Sequence, residues 1–555
     1  MNVIIKEDYK VPVFSWCPEI EENAMEQIDN LARLPFVFKR ISIMSDCHSG
    51  YGMPIGGVLA TQDIIIPNAV GVDIGCGMCA VKTSLTEIDI DILKKIMGEI
   101  RKSIPVGFNR HKEKQDENLM PDYLNERIEE YPNETKIKYP IVSEQYKNAL
   151  TQIGTLGGGN HFIEIQKGND GHIWVMIHSG SRNFGLQIAK HYNDLAIELN
   201  KKWFSQIPKE WELAFLPLDS EEGEGYIREM NYAVEFAFAN RKLMMENIRH
   251  IFGQFTNAVF EPIINIAHNY ARLENHCSTC IDNLGNDNRL HESLLGVPSV
   301  SKVLSFLGGY RPVFHSCGGL LLRGATSYLK PSPSQVGVLE QMSDDLHSLL
   351  PRLEGKHNHS ISFCHCENVS FAQIDETYYT SLNKFGLGFC HLFGVGKVDR
   401  KLDRVLGHIF LGYEAYNLDC KINNNTFSIS QKHSPTQVMV HRKGATLATT
   451  DTIGIIPGSQ GTKSYIVKGK GNILSFNSCS HGAGRKMGRK EAERNLNLEE
   501  EVKKLDDMGV LHAIRGIRDL DEATGAYKDI KEVMANQEDL VEILVELQPL
   551  AVIKG

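Results

Sequence analysis

Ala69-Val-Gly-Val-Asp-Ile-Gly-Cys-Gly-Met78 sets Asp73 and Cys76 three residues apart in a run broken by Gly71, Gly75 and Gly77. Glycine admits positive φ and close backbone approach, so a carboxylate and a thiolate can converge on one point without a helix to carry them. The approach, Asp63-Ile-Ile-Ile-Pro67, and the exit, Ala80-Val-Lys-Thr83, are apolar and β-branched and read as strands on either side of a tight turn. A buried structural cysteine would explain Asp73 and Cys76 taken alone. Histidines in similar settings further along shift that balance.

The chain has 555 residues, too many for one ordinary core, so two or more domains or one large domain with insertions are expected. A hydrophobic content of 42% and a charged content of 23% describe a soluble globular protein. No apolar run approaches the roughly 20 residues that span a bilayer, and the first residues do not read as a signal peptide. Twelve cysteines then read as thiols and metal ligands, not as a disulfide framework, and a cytoplasmic location is expected. The net charge of −10 argues against a generally basic nucleic-acid coat. A local basic groove stays open, because phosphate contacts depend on where Lys and Arg sit.

Near the start, Glu21–Arg33 reads as a helix, and Ser45-Asp-Cys-His48 leads into a glycine-rich loop. Asp46 and His48 share a face if this is a strand. Residues 84–150 read as helical and polar, with His111–Glu117 and Asn125–Glu134 as solvated surface or a lid. Next, Gly154-Thr-Leu-Gly-Gly-Gly-Asn-His-Phe-Ile-Glu-Ile165 predicts a strand on which Asn160, Phe162 and Glu164 face one side and His161 and Ile163 the other. As a generic phosphate loop it matches no standard spacing.

Trp174-Val-Met-Ile-His178 is an apolar strand ending in a histidine, with Arg182 in the loop beyond it. Helices are predicted over Leu186–Phe204 and Gly225–Phe255. In the second, Tyr226, Met230, Val234, Ala237, Met244, Ile248 and Phe252 form a buried face. Ile263-Ile-Asn-Ile-Ala-His268 delivers another histidine after an apolar run. The segment 276–430 holds seven of the cysteines and reads as irregular loops between short apolar pieces. A zinc site from His276, Cys277, Cys280, Cys364 and Cys366 lacks the second regularly spaced pair and is disfavoured. Order returns at Gln437–Thr446 and Ile455–Tyr465. Ser478-Cys-Ser-His-Gly-Ala-Gly-Arg-Lys-Met-Gly-Arg-Lys490 then reads as a small-residue turn into a basic helix, with His481 as its cap in the plainest reading.

Asp73, Cys76, His161, His178 and His268 form a mixed thiolate, imidazole and carboxylate set that suits Zn²⁺ or Mn²⁺ better than Ca²⁺ or Mg²⁺. Five ligands exceed a closed structural zinc site and permit two metals, which fits chemistry at phosphorus. His481 stands out as a nucleophile because its setting is not a strand end, and Ser459, Ser464, Arg442 and Arg485 are available for phosphate.

In order, Asp73-Ile-Gly-Cys76-Gly, Gly-Asn160-His161-Phe-x-Glu164, His178-Ser-Gly-Ser-Arg, His268-Asn-Tyr-Ala, His441-Arg-Lys-Gly-Ala and His481-Gly-Ala-Gly-Arg485 resemble the motifs of the RtcB family of GTP-dependent RNA ligases. The resemblance covers most of 40–275 and 431–555. It implies an α+β fold of mixed sheets surrounded by helices, with 1–275 and 431–555 as one catalytic domain. It also implies an enzyme that joins RNA 2′,3′-cyclic phosphate or 3′-phosphate ends to 5′-hydroxyl ends, in RNA repair or tRNA splicing. In that reading His481 carries GMP, and Mn²⁺ sits on Asp73, Cys76, His161, His178 and His268. Asn160, Phe162, Glu164, Ser459, Ser464, Ala483, Arg485 and Lys554 line the guanylate pocket; Asp46, Arg182 and Arg442 meet substrate phosphate or RNA. GTP is the cosubstrate, and an archease-like activating protein is an implied partner. The departure is 276–430, read as an inserted module. A metal-dependent phosphoesterase on the same ligands and a non-catalytic RNA-binding scaffold are the competing readings.

Overall fold

The computed structural model describes residues 1–121, 138–276 and 436–555 throughout. Between these it describes only the strands Pro312–His315, Gly319–Leu322, Asn358–Cys364, Val369–Gln373, Leu418–Asn423 and Thr426–Gln431. The surface or lid expected at Asn125–Glu134, and the zinc reading of Cys277, Cys280 and Cys366, lie outside the described residues. The chain forms two compact units, Met1–Glu274 with Val438–Gly555, and Asn275–Gln437. In the second, Asn358–Cys364 pairs antiparallel with Val369–Gln373 and parallel with Thr426–Gln431, a layout that fits an inserted module.

The first unit is α+β, as expected. One sheet of six strands runs Asn2–Ile4, Val13–Ser15, Val37–His48, Ile55–Thr61, Thr436–Lys443 and Asn269–His276. A second sheet of seven strands runs Ile264–Ala267, Gly77–Lys82, Ile173–Ser179, Phe162–Gly168, Val541–Lys554, Ser464–Gly469 and Ile453–Ile456. Every neighbouring pair in it is antiparallel. Such a sheet is assembled from segments far apart in sequence, with the last strand of the chain inserted in its middle.

The helices follow their apolar periodicity. Glu22–Ala32 buries Ala24, Ile28, Leu31 and Ala32. The long helix runs Glu221–Phe255, starting four residues before the predicted one. Its N-terminus is fixed by Ser220 Oγ, which accepts from the Gly223 amide at 3.0 Å, and by three glutamates in the first turn that complement the helix dipole. Of the predicted face, Val234 is only partly buried, and Tyr232, Ala233 and Phe236 are buried as well. A helix packed on more than one side buries more than one stripe. The preceding helix runs Asn183–Lys202. Asp63–Pro67 contributes only the two-residue strand Ile64–Ile65, because Pro67 opens a single helical turn to Val70.

Candidate active site

Four adjacent strands of the seven-stranded sheet end at one level. Cross-strand register pairs Ala267 with Gly77, Gly77 with Ser179, and Phe162 with His178. His268 follows the first strand, Cys76 precedes the second, His178 lies in the third and His161 precedes the fourth. Neighbouring strands are about 4.8 Å apart, so residues distant in sequence fall into one row. The alternation expected over 160–164 fails at His161, because the strand begins only at Phe162.

The turn that carries Asp73 and Cys76 depends on glycine. Gly75 has φ of +76°, and a Cβ there would sit 2.9 Å from Val234 Cα, against the backbone of the long helix. That helix also supplies a clamp that sequence reading missed. Arg241, fully buried, donates from Nη1 to the carbonyls of Gly75 and Ser179, both at 2.9 Å, and from Nε to Asn265 Oδ1 at 2.7 Å. One guanidinium therefore ties together the segments bearing Cys76, His178 and His268. A lone arginine in a helical pattern gave no signal of this.

Two of the three imidazoles are turned by their other nitrogen. His161 Nδ1 donates to the Leu156 carbonyl and His178 Nδ1 to the Asn160 carbonyl, both at 3.0 Å. This leaves the Nε2 lone pairs facing Cys76 Sγ, at 3.5 and 3.2 Å. Asp73 Oδ2 lies 3.2 Å from His161 Nε2. Among the described residues, the donor atoms of Cys76, His161 and His178 all lie within 4.8 Å of one another. The His268 ring is 5.3 Å from that of His178, and its buried Nδ1 has no hydrogen-bond partner. A buried orphan nitrogen is costly unless a ligand or water takes it.

Burial, then the neighbouring imidazoles, hold His178 and His268 well below the usual histidine range, so both are neutral with lone pairs free. Burial, then the Asp73 charge, pushes the Cys76 thiol well up. A divalent cation reverses that preference, because a coordinating thiol is deprotonated. Burial also pushes the Asp73 carboxyl up, but the hydrogen bond and charge of His161 outweigh it and the net is a lowered value. Orphan nitrogen, oriented imidazoles, thiol and carboxylate together fit a transition-metal ion.

His481 adjoins this cluster, with ring centroids 4.8 Å apart between it and His268. It is not a helix cap: it follows the short strand Ser478–Ser480, and the next helix starts at Arg489. The contrast in setting drawn from sequence is thus corrected, since His481 too stands at a strand end. What distinguishes it is Asp46. The His481 Nδ1–H donates to Asp46 Oδ2 at 2.6 Å, and the amides of His481 and Gly482 donate to the same oxygen at 3.1 and 3.2 Å. That fixes the tautomer and leaves Nε2 with a lone pair, the arrangement that activates an imidazole nucleophile.

Asp46→Asn is expected to release this tautomer, read from the ring-nitrogen NMR shifts of His481. A comparable change in an imidazole–carboxylate pair costs about 10⁴-fold in rate. Unaltered shifts would show that Asp46 does not set the tautomer.

A cleft beside His481 is lined by Asn160, His161, Phe162, Glu164, His178, Ser459, Ala483, Arg485 and Lys554, all named from sequence. Lys554 reaches it because the last strand runs antiparallel to Phe162–Gly168, pairing Lys554 with Phe162 and Val552 with Glu164. The Lys554 ammonium donates to Asp521 Oδ1 at 2.8 Å. Burial pushes the Glu164 carboxyl well up against the hydrogen bond from Gln166. Ser464 stands behind this wall, its Oγ accepting from Gln166 Nε2 at 3.1 Å.

His48, Gln460, Arg489, Glu522 and Tyr527 line the cleft too and were not among the residues named for it. Glu522 is the hinge of that group: it pairs with Arg485 at 2.9 Å and Arg489 at 3.0 Å, and accepts from the Tyr527 hydroxyl. The Asp46 and His48 pair at two-residue spacing was the one available signal. Burial holds His48 down to about 4, so it is neutral here.

Two arginines named for substrate phosphate are placed otherwise. Arg442 is fully buried and holds Glu274 at 2.5 and 3.1 Å, Ser478 Oγ at 2.9 Å and the Phe476 carbonyl at 2.8 Å. It does not line the cleft, and its fork joins the strands of Glu274 and Ser478 to the Phe476 carbonyl. Arg182 donates to Thr155 Oγ1 at 3.0 Å and the Gly107 carbonyl at 3.1 Å, bracing the loop before His161. Asp46 holds His481 with one oxygen, and its other carboxylate oxygen is buried with no hydrogen-bond partner among the described residues.

Comparison with known proteins bears on these residues. A family profile described as tRNA-splicing ligase RtcB matches residues 27–284 and 398–555. The chain is 27% identical to the RNA-splicing ligase RtcB of Escherichia coli over 570 aligned positions, covering all of both chains. It is 34% identical to the tRNA-splicing ligase RtcB of Methanococcus maripaludis over 299 positions, 46% of this chain and 62% of the other. Similarity to the tRNA-splicing ligase RtcB of Nanoarchaeum equitans is 26% over 583 positions, 96% of this chain and 92% of the other. Among the described residues, no helix is long and apolar enough to cross a membrane.

Proposed function

We infer the function from one premise: this chain belongs to the RtcB family of tRNA-splicing ligases. It is an RNA ligase. We propose that it is GTP-dependent and works through a histidine–GMP intermediate on His481. The observation that carries this is the place of His481, between the ligand row and the cleft with its Nδ1–H held by Asp46.

In the proposed first step the His481 Nε2 lone pair attacks the α-phosphorus of GTP, forming an N–P bond as pyrophosphate leaves. A 2′,3′-cyclic phosphate end is opened by water to a 3′-phosphate. An oxygen of that phosphate then attacks the bound GMP, and the electrons of the N–P bond return to His481. The 5′-hydroxyl attacks the activated phosphate, GMP departs, and the strand is sealed. Asp73, Cys76, His161, His178 and His268 would hold manganese, as one ion or two, and it would supply positive charge against the entering phosphates. The chain's own residues orient and select. Asp46 holds the ring in the tautomer that presents Nε2 as the nucleophile, Arg485 and Lys554 offer cations, and Glu164 accepts from the N–H edge of guanine. An activating archease-like protein is part of the same reading.

Glu164→Gln is expected to weaken GTP binding roughly 10- to 100-fold, the cost of leaving a buried N–H donor of the base unpaired, with metal content unaltered. Titration with a non-hydrolysable GTP analogue measures it, and undiminished affinity would remove Glu164 from base recognition. For the reaction itself, incubation with α-labelled GTP and Mn²⁺ decides. Protein-bound label stable to alkali and lost in acid supports ligation through histidine. Phosphate release without label would point to a phosphoesterase, and neither result to a scaffold.

A further inference from the structure

We propose that Phe108 is a stacking platform for a base of the RNA strand being joined, an inference that rests on the RNA-ligase reading above. Phe108 is 102% exposed, and among the described residues no large apolar side chain is more so. Scattered surface apolar residues are ordinary, but this one is presented on a pinned loop. The Gly107 amide donates to the Gly157 carbonyl at 2.8 Å, and the Leu156 amide to the Pro105 carbonyl at 2.9 Å. Asn109 closes a turn onto the Val106 carbonyl at 3.2 Å, and Arg182 Nη2 holds the Gly107 carbonyl at 3.1 Å.

The loop that anchors it leads straight into the site. A Cβ at Gly158 would lie 3.4 Å from Gly107 Cα, and one at Gly159 only 2.9 Å from the Arg489 guanidinium. Asn160 and His161, the next residues, line the cleft. A phenyl ring in water on a pinned backbone, beside a cleft with Arg489 on its wall and with exposed Arg110 two residues along, has the chemistry of single-strand recognition. Bases stack on aromatic faces without regard to sequence, while cations take the backbone. A duplex edge would need hydrogen-bonding side chains at this position, and phenylalanine has none.

The test is a fluorescence titration of the full-length protein with single-stranded RNA ending in a 3′-phosphate, carrying 2-aminopurine at successive positions from the end. Quenching at one position is expected, lost in Phe108→Ala with binding weaker by roughly 5- to 100-fold, and kept in Phe108→Trp. Phe204→Ala serves as the control. Phe204 is 84% exposed but lies beyond the far end of helix Asn183–Lys202, about 30 Å along from Arg182. Wild-type quenching and affinity in Phe108→Ala, or an equal loss in Phe204→Ala, would overturn the proposal. Absence of guanylyl label in the wild type would overturn the ligase mechanism instead, and a stacking signal in that same preparation would still uphold Phe108.

Discussion

His481→Ala takes no guanylyl label from α-labelled GTP and seals no RNA, a loss on the order of 10⁴- to 10⁶-fold, as when a covalent nucleophile is deleted. The size follows from the geometry. Among the described residues, His481 is the imidazole that combines a carboxylate partner on Nδ1 with a place on the cleft wall. His161 and His178 direct their Nε2 atoms at Cys76 instead, so neither is free to substitute. Folding is a separate matter and is checked separately. In the variant Asp46 keeps the two backbone amides as donors, so the protein should fold with at most about 1–3 kcal/mol lost and with its metal retained. Label bound by His481→Ala would move the nucleophile to another residue.

Cys76→Ala is expected to lose bound metal. Cys76 Sγ is the atom that faces both His161 and His178, so its removal takes away the donor shared by the row. Loss of residues that merely orient ligands costs about 10- to 100-fold in affinity, and loss of a ligand itself should exceed that. Elemental analysis after exhaustive dialysis reads the stoichiometry without reference to activity. Cys76 is 3% exposed, and Cys76→Ser, nearly isosteric but with a hydroxyl that remains protonated, separates lost ligation from lost packing. Full metal retention in both variants would remove Cys76 from the centre.

Much of this was visible in the chain. The helices around Glu22–Ala32 and Glu221–Phe255 follow from apolar residues recurring at three and four, a local property. The candidate ligands announced themselves by glycine or strand-end settings, and ten of the residues named for function line one cleft. The failures share a cause. Arg442, in a motif with basic and small neighbours, looked like a phosphate ligand, yet Glu274 from a strand 168 positions away occupies it. Arg241 looked like an ordinary helical charge, yet it ties the backbones of Gly75 and Ser179. Glu522 and Tyr527 had no motif at all, because their role is to hold Arg485.

The sequence alone determined which residue types could meet a cation, a phosphate or a base, since those capacities reside in side-chain chemistry and short spacing. Tertiary structure alone decided which of them meet. The seven-stranded sheet brings strand ends from residues 76, 161, 178 and 268 into one row and slips the chain's last strand between Phe162–Gly168 and Ser464–Gly469. Cross-strand register is set by packing and pairing over hundreds of positions, which no local pattern encodes.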